Sequence, residues 1–284
     1  MNTEQDITWD KIITTKQKKM STQLKSIWEY RDLIVLLVKR DYVTYYKQTI
    51  LGPLWYLVQP ICSTIMYILV FGTLAQIGTD SIPQPLFYFS GTMLWTYFSG
   101  NLINTSNVFF KNKDMFGKVF FPRLVAPIAS TISLLVKFGI QFILFLIIYV
   151  FYLLKGANIT LSFSILLCPF IILWVSLLSG GIGMIISSVT TKYRDIAMVL
   201  EFFVSLWVYA TPIAYPLSEI PENVRFLFCL NPVSVQVELF RYCFFGTATI
   251  TTEAVLISLG MTLIFLFLGL KMFNKNERTF IDTI

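Results

Sequence analysis

The sequence predicts an all-α integral membrane protein with six transmembrane helices. Of its 284 residues, 56% are apolar and only 13% are charged, whereas a soluble domain carries about a quarter charged residues. A bilayer core about 30 Å thick is crossed by about 20 helical residues. Six apolar runs reach that length: 54–75, 86–110, 124–154, 159–189, 196–215 and 253–273. This composition excludes a disordered chain and argues against an ordinary cytosolic enzyme.

Most of the 22 basic residues lie on one side of these spans. Residues 1–53 hold nine, the connections 111–123 and 190–195 hold four and two, and the tail from Lys271 holds three. Because basic residues mark the cytoplasmic side, both termini are expected in the cytoplasm. The chain then divides into an N-terminal tail with a surface helix (1–53), a six-span membrane domain (54–273) and a C-terminal tail (274–284). This asymmetry accounts for the net charge of +6, so no nucleic-acid partner is expected.

The chain has no histidine and four cysteines. Histidine-dependent zinc sites and Ser-His-Asp nucleophiles are therefore excluded within this chain. The cysteine spacing fits no metal or redox motif. Cys229 and Cys243 either form a bridge outside the cytoplasm or stay as buried thiols. No catalytic or metal-binding residue is predicted.

The segment before the first span is predicted to form an amphipathic helix at the cytoplasmic surface. Its apolar run, residues 33–38, is too short to cross a bilayer and is flanked by charged residues. One helical face would carry Leu24, Ile27, Trp28, Val35, Val38, Tyr42 and Tyr45. Gly52-Pro53 breaks this helix where the chain turns into the bilayer. A membrane anchor with no moving role explains the same pattern.

Polar and charged side chains within the predicted spans are functional candidates. Tyr97, Asn101, Asn104 and Thr105 follow helical spacing in the second span. This face must meet protein or a water-filled path, so pore lining and hydrogen bonding between packed helices are both open. Lys137 and Glu201 are the charged residues in spans. At about 1.5 Å per residue, Lys137 lies about 21 Å along the helix from Arg123, whereas Glu201 lies about 9 Å along the helix from Asp195. This mismatch argues against an ion pair between Lys137 and Glu201.

A series of different short motifs along the chain resembles the motifs of a known family. They are Arg31-Asp32-Leu33, Leu37-Val38-Lys39-Arg40-Asp41, Leu51-Gly52-Pro53-Leu54-Trp55, Phe87-Tyr88-Phe89-Ser90-Gly91, Lys118-Val119-Phe120-Phe121-Pro122-Arg123, Lys192-Tyr193-Arg194-Asp195, Thr211-Pro212-Ile213 and Asn231-Pro232. In this order they resemble the ABC-2 type permeases that export bacterial O-antigen, capsule and teichoic acid polysaccharides. The resemblance covers residues from about 30 to the end. The family favours an acidic residue at position 137, so Lys137 departs from the family's pattern.

The resemblance implies a transport subunit, not an enzyme, in the bacterial cytoplasmic membrane. Gly117-Lys118 is followed by Val119, so the chain has no loop of the kind that cradles ATP phosphates. It therefore needs no cofactor of its own, and ATP and Mg²⁺ belong to a separate ATP-binding subunit. The family suggests two copies of each subunit, membrane lipids around them and a lipid-linked polysaccharide as substrate. An ABC-2 exporter of a drug or lipid is the alternative, followed by a membrane glycan or lipid transferase.

The resemblance also assigns roles to residues on the cytoplasmic side. The connection after the second span corresponds to the family's coupling helix, which contacts the ATPase; its residues here are Lys111, Lys113, Asp114, Met115, Phe116 and Lys118. A basic loop that only sets the topology is the alternative. The surface helix corresponds to the gate helix, with Lys39, Arg40, Asp41 and Lys47 near the entrance for the lipid pyrophosphate. Lipid-facing anchors are the alternative for these residues.

Aromatic residues crowd the outer halves of three predicted spans. They are Tyr67 and Phe71 in the first, Trp95 in the second, and Trp207 and Tyr209 in the fifth. Flat rings suit the apolar faces of sugars, and with Tyr97, Asn101 and Asn104 they would line a channel. A lipid-facing aromatic belt predicts the same enrichment. Short or re-entrant helices are predicted between Pro216 and Thr252, before the last span.

Overall fold

The computed structural model describes residues 27–47, 49–116, 121–157, 163–193, 195–246 and 250–276. The helices are α1 (Arg31–Tyr46), α2 (Trp55–Tyr67), α3 (Gln84–Ser106), α4 (Val108–Lys111), α5 (Lys113–Phe116), α6 (Val125–Leu154), α7 (Cys168–Thr190), α8 (Asp195–Trp207), α9 (Glu222–Leu230), α10 (Pro232–Phe245) and α11 (Thr252–Asn276). No strand forms within the described residues. The all-α prediction is confirmed for this part of the chain.

Four helical stretches are long and apolar enough to cross a bilayer. They are Gly52–Leu74, Val125–Leu154, Phe163–Thr190 and Thr252–Lys275. The first consists of a 3₁₀ turn, α2 and a π-helical end over Ile68–Leu74. The other three contain α6, α7 and α11. These stretches correspond to the first, third, fourth and sixth predicted spans.

The second and fifth predicted spans correspond to α3 and α8, which differ from those four. α3 has 23 residues, a length of about 35 Å, but it carries many polar side chains. α8 has 13 residues, a length of about 20 Å, and a 3₁₀ turn over Val208–Ala210 extends it. Length and composition therefore support four spans, and the six-span topology stays a prediction.

α3 is the central helix of the fold. It packs against α2, α6, α7, α8 and α10, and Phe87, Tyr88, Phe89 and Phe98 are at most 1% exposed. A helix enclosed in this way can satisfy its polar groups with protein partners, since its neighbours supply donors and acceptors. This central position explains why α3 is more polar than the four apolar stretches.

α7 and α11 meet closely at a pair of glycines. A Cβ atom at Gly181 would lie 2.8 Å from the Leu266 amide nitrogen, and one at Gly269 would meet the Gly181 carbonyl. Small residues let two helix backbones approach at this distance. The contact fixes the last helix against the fourth predicted span.

Two short helices, α9 and α10, occupy the segment where the sequence predicts short helices. α10 begins after Asn231, whose side-chain oxygen accepts from the backbone amide of Val233 at 3.2 Å. Pro232 fills its first turn, where a missing N–H costs nothing. It ends at Gly246, whose φ of +73° is a left-handed cap that favours glycine.

The four cysteines are free thiols in this structure. Cys243 is fully buried in the main hydrophobic cluster and Cys229 is half-buried. The bridge between these two residues, which the sequence left open, is not formed.

Candidate functional site

A cavity of about 670 Å³ lies between α1, the end of α3 with α4, and the first half of α6. Its walls bring together Arg40 and Asp41 from α1, Asn104 and Lys111 from α3 and α4, and Lys137 from α6. Three cations and one carboxylate therefore line the described wall, which leaves a net charge of +2. A cavity with this charge is suited to an anionic group.

Small side chains on two facing helices leave the space for this cavity. The contributors are Ala126, Ala129, Ser130 and Ser133 on α6 and Gly100 on α3. A Cβ atom at Gly100 would lie 3.6 Å from the Leu134 side chain. α3 and α6 are therefore in contact at this end, and the cavity opens where their facing residues are small.

Arg40 is already engaged within the cavity wall. Its Nη2 and Nε donate to Asp41 Oδ1 at 2.7 and 3.0 Å. Nη2 also donates to Asn112 Oδ1 at 3.2 Å, and Asn112 lies at the break between α4 and α5. Arg40 thus connects α1 to the segment that follows α3. Its charge is largely balanced by the neighbouring carboxylate.

Lys111 faces the same cavity from α4. Its ammonium donates to the side-chain oxygen of Asn104, a neutral partner. Part of the side chain is exposed, yet desolvation by the surrounding protein lowers the pKa of Lys111, and the carboxylates of Asp41 and Glu201 oppose that change. The charged form of Lys111 would gain from an anion in the cavity because it is incompletely solvated.

Lys137 lies at the other end of the cavity. Its Nζ is 5.2 Å from the centroid of the Tyr56 ring, and no ion pair involves it within the described residues. One turn further along α6, the Gln141 side chain donates to the Tyr56 carbonyl oxygen at 2.9 Å. Lys137 therefore lies level with the first turn of α2.

This level relates Lys137 to the start of the first predicted span. α6 has 30 residues, a length of about 45 Å, which exceeds the bilayer core by about 15 Å. Tyr56 is in the first turn of α2, so the part of α6 before Lys137 extends past the point where the first span begins. Lys137 lies about 21 Å along the chain from Arg123, and the packing places it level with the start of the first predicted span.

The predicted gate-helix residues divide into two groups. Arg40 and Asp41 line the cavity, whereas Lys39 and Lys47 are exposed and take no part in its described wall. α1 packs against α6, with Leu37 only 2% exposed in a shared apolar cluster. The helix is therefore attached to the bundle along one face.

The predicted coupling residues are placed differently from one another. Lys113 and Asp114 are exposed and Met115 is half-buried, while Lys118 lies outside the described residues. Phe116 is 8% exposed, and its ring centroid lies 5.9 Å from that of Phe109. Phe116 thus packs into the interior of this chain, and the exposed part of the segment is polar.

Two of the predicted polar side chains of α3, those of Tyr97 and Asn101, join helices. Asn101 is fully buried; its Nδ2 donates to Ser179 Oγ at 2.7 Å and its Oδ1 accepts from Thr131 Oγ1 at 2.9 Å. The hydroxyl groups of Tyr97 and Ser176 lie 2.5 Å apart. These bonds connect α3 to α6 and α7, as interhelical hydrogen bonds do in other bundles. Asn104 differs, since it lines the cavity.

Four of the five predicted channel aromatics form two pairs. Trp95 and Trp207 meet edge to face with ring centroids 6.3 Å apart, and Tyr67 contacts Phe71 at 5.7 Å. Tyr209 is 65% exposed on the surface of the chain. The first pair links α3 to α8, and the second lies at the C-terminal end of the first predicted span.

A buried ion pair between Arg241 and Glu238 is a feature that the sequence analysis did not identify. Arg241 Nη1 donates to Glu238 Oε1 at 2.9 Å and to the Pro212 carbonyl at 2.6 Å, and Nη2 donates to the Ile213 carbonyl at 3.0 Å. The guanidinium carbon also lies 3.7 Å from the centroid of the Phe87 ring. The available signal was an acid and a base three residues apart within an otherwise apolar stretch.

Comparisons with known proteins give one consistent result. The model of the ABC-2 type transporter family matches residues 32–245. The chain is 25% identical to an O-antigen export system permease protein RfbA of Myxococcus xanthus over 92% of this chain and 98% of the relative. It is 26% identical to an O-antigen export system permease protein RfbA of Klebsiella pneumoniae, covering 89% and 95%, and 24% identical to the polysialic acid transport protein KpsM of Escherichia coli, covering 87% and 94%.

Proposed function

Because the chain belongs to the ABC-2 type transporter family, we propose that it is the permease subunit of an exporter that moves a lipid-linked polysaccharide across the bacterial cytoplasmic membrane. The full-length similarity to permeases named for O-antigen and polysialic acid transport carries this proposal. The cationic cavity beside α1 supports it, since a lipid-linked glycan joined through phosphate brings a negative charge to the membrane surface.

The proposed assembly contains two copies of this chain and two ATP-binding subunits. Each chain crosses the membrane six times: the four apolar stretches are four of the spans, and α3 and α8 are the second and fifth. Both termini lie in the cytoplasm. The basic residues on one side support this orientation. The ATP-binding subunits hold ATP and Mg²⁺, and this chain carries out no covalent chemistry.

The segment of α4 and α5 is the proposed contact with the ATP-binding subunit. Lys113 and Asp114 are exposed there and would form polar contacts with it. Movement of this segment would be transmitted to α1 through the hydrogen bond between Arg40 and Asn112. α1 would then shift relative to α6 and change access to the cavity between them.

The proposed path for the glycan continues from the cavity to the outer aromatic residues. Asn104 at the cavity and the rings of Trp95, Trp207 and Tyr209 are the candidates along it. Rings present large flat surfaces with little rotamer entropy to lose, so they can contact successive sugars. A second copy of the chain would complete the wall on the side where α8 is exposed; Met198, Phe202 and Phe203 are 78%, 62% and 60% exposed there.

Deletion of the gene in its own host tests this proposal. The surface polysaccharide should disappear, and lipid-linked glycan should accumulate inside the cytoplasmic membrane, with both effects reversed by the wild-type gene on a plasmid. Inactivating the ATP-binding subunit should give the same phenotype and serves as the matched control. Normal surface glycan combined with new sensitivity to a drug would reject the proposal in favour of a small-molecule exporter.

A further inference from the structure

We propose that a second cavity, between α6, α7 and α11, holds an acyl chain of a bilayer phospholipid that stays bound to the permease. The second cavity has a volume of about 420 Å³, within the range of about 300–1,000 Å³ that is usual for ligand sites. It lies on a different face of α6 from the cationic cavity: Ala129 and Ser133 line the cationic cavity, whereas Ile128 and Ile132 line the second one. The inference goes beyond the proposed function, because it concerns a lipid that is not exported and requires only that the chain spans a membrane.

The walls of the second cavity come mainly from apolar side chains of three of the four stretches that are long and apolar enough to cross a bilayer. Examples are Ile132 and Leu135 from α6, Leu173 and Leu177 from α7, and Leu266 and Leu270 from α11. The medium around such stretches is the hydrocarbon of the bilayer. The surroundings of the second cavity therefore supply acyl chains.

Three hydroxyl groups line the second cavity, and each already has a hydrogen-bond partner within the protein. Thr105 and Thr131 donate to Asn101 Oδ1 at 3.4 and 2.9 Å. Ser176 donates to the Ile172 carbonyl oxygen at 2.7 Å. A buried water needs about two to four polar partners, so a cavity of this kind excludes water. If the cavity stayed empty, its lining would lose the packing contacts of a protein interior, and hydrocarbon restores them.

The second cavity opens towards the lipid-facing surface and has the depth of one leaflet. Ile132 and Leu173 line it and are 36% and 54% exposed, so a lipid can enter between α6 and α7. Its wall on α6 extends from Leu124 to Leu135, a length of about 16 Å. Half of a bilayer core about 30 Å thick has nearly the same depth. The cavity is therefore long enough for a single acyl chain.

Lys271 marks the level of the lipid headgroup. It follows Leu270, which lines the second cavity, and it is the first basic residue of α11. Lys271 is exposed, and no ion pair involves it within the described residues. Basic residues at the end of a span lie near the headgroups and attract anionic lipids. A lipid with its chain in the cavity therefore has its phosphate near the level of Lys271.

Gly180 offers a way to fill the second cavity with a side chain. It lies in the wall on α7, and a Cβ atom there would meet Asn101 Nδ2 at 3.9 Å, an ordinary contact. Gly180→Leu should therefore fold and occupy the space of the acyl chain. Gly260→Leu on α11 is the matched control, because Gly260 takes no part in the described wall and a Cβ atom there meets nothing within 4 Å.

Native mass spectrometry tests the proposal by counting the lipids that remain on the permease after transfer from phosphatidylglycerol nanodiscs into a mild detergent. Wild type and Gly260→Leu should each retain about one phosphatidylglycerol per chain, whereas retention by Gly180→Leu should fall at least about fivefold because the leucine takes its place. No retained lipid in wild type, or equal retention by the two leucine variants, would overturn the proposal.

Thermal unfolding of the delipidated protein gives a second readout. Added phosphatidylglycerol should raise the melting temperature of wild type by at least about 2 °C and leave that of Gly180→Leu unchanged. If Gly180→Leu does not fold, Leu177→Trp replaces it, since Leu177 lines the same wall one turn away. A cryo-EM map of wild type in the same nanodiscs needs no variant: it should show a rod of density in the second cavity, and an empty cavity would overturn the proposal.

A competition experiment distinguishes a resident phospholipid from the exported lipid. A polyprenyl phosphate added in an amount equal to the phosphatidylglycerol should not displace the retained phospholipid. Displacement would assign the second cavity to the hydrocarbon chain of the exported lipid and would contradict the proposal.

Discussion

Arg241 and Glu238 form a buried ion pair in which the two side chains are 1% and 5% exposed and the Nη1–Oε1 distance is 2.9 Å. The same guanidinium donates to carbonyl groups of the loop after α8 and to Phe87 in α3. One side chain therefore joins α3, α10 and that loop. Such a pair is costly to desolvate and is retained only with further hydrogen bonds, which the carbonyl groups supply.

Removing one member of this pair should destabilise the protein strongly. Arg241→Met leaves the Glu238 carboxylate buried without its partner, and we expect a loss of about 3–5 kcal/mol in the free energy of unfolding. Denaturant titration of the protein in detergent measures the loss. The double variant Arg241→Met, Glu238→Leu should recover part of it, and a double variant as unstable as the sum of both single changes would contradict the coupling.

Close contact between α7 and α11 should make one glycine of α11 intolerant of a methyl group. Gly269→Ala would push a Cβ atom into the Gly181 carbonyl, and overpacking of this kind costs about 1–3 kcal/mol. Gly260→Ala is the control on the same helix, since a Cβ atom there meets nothing within 4 Å, and we expect no loss of stability. Thermal unfolding of both variants decides the point; equal melting temperatures would reject the close contact.

Asn101 should behave as a packing residue. Asn101→Ala leaves the hydroxyl groups of Ser179 and Thr131 without this partner, and we expect a stability loss of about 1–3 kcal/mol. Unfolding in detergent measures it, with Asn104→Ala as the comparison because Asn104 lines the cavity. A variant at Asn101 with unchanged stability but altered transport would instead favour pore lining.

Asn112 should be needed to couple ATP hydrolysis to export. Asn112→Ala removes the acceptor for Arg40, so the described hydrogen bond between α1 and the segment of α4 and α5 is lost. We expect ATP hydrolysis by the complex to continue while glycan export falls at least fivefold. Asn112→Asp keeps an acceptor for Arg40 and should retain export. Parallel loss of hydrolysis and export in Asn112→Ala, with the complex intact, would contradict a coupling role.

Local features of the fold were predictable from sequence because local chemistry determines them. Gly52-Pro53 predicts the break before the first span, and Asn231-Pro232 predicts the start of α10 through a cap and a fixed proline dihedral. The apolar runs predict four of the spans by length and hydropathy alone. The family resemblance is confirmed by the family model that matches residues 32–245.

The cavity was not predictable in the same way, because it depends on contacts between distant segments. Arg40 and Asn112 are 72 positions apart, and no periodicity relates them. The level of Lys137 depends on how far α6 extends beyond the start of α2, which only packing determines. The burial of Asn101 among hydrogen-bonding partners likewise emerged only when α6 and α7 were placed beside α3.

Export in a reconstituted system tests the central claim most directly. Proteoliposomes containing this permease and its ATP-binding subunit, loaded with radiolabelled lipid-linked glycan in one leaflet, should move the glycan to the other leaflet when ATP and Mg²⁺ are added. Proteoliposomes with the permease alone, or with a hydrolysis-deficient ATP-binding subunit, should show no such movement. ATP-dependent transfer in the first preparation alone agrees with the account; equal transfer in all preparations, or none in any, would contradict it.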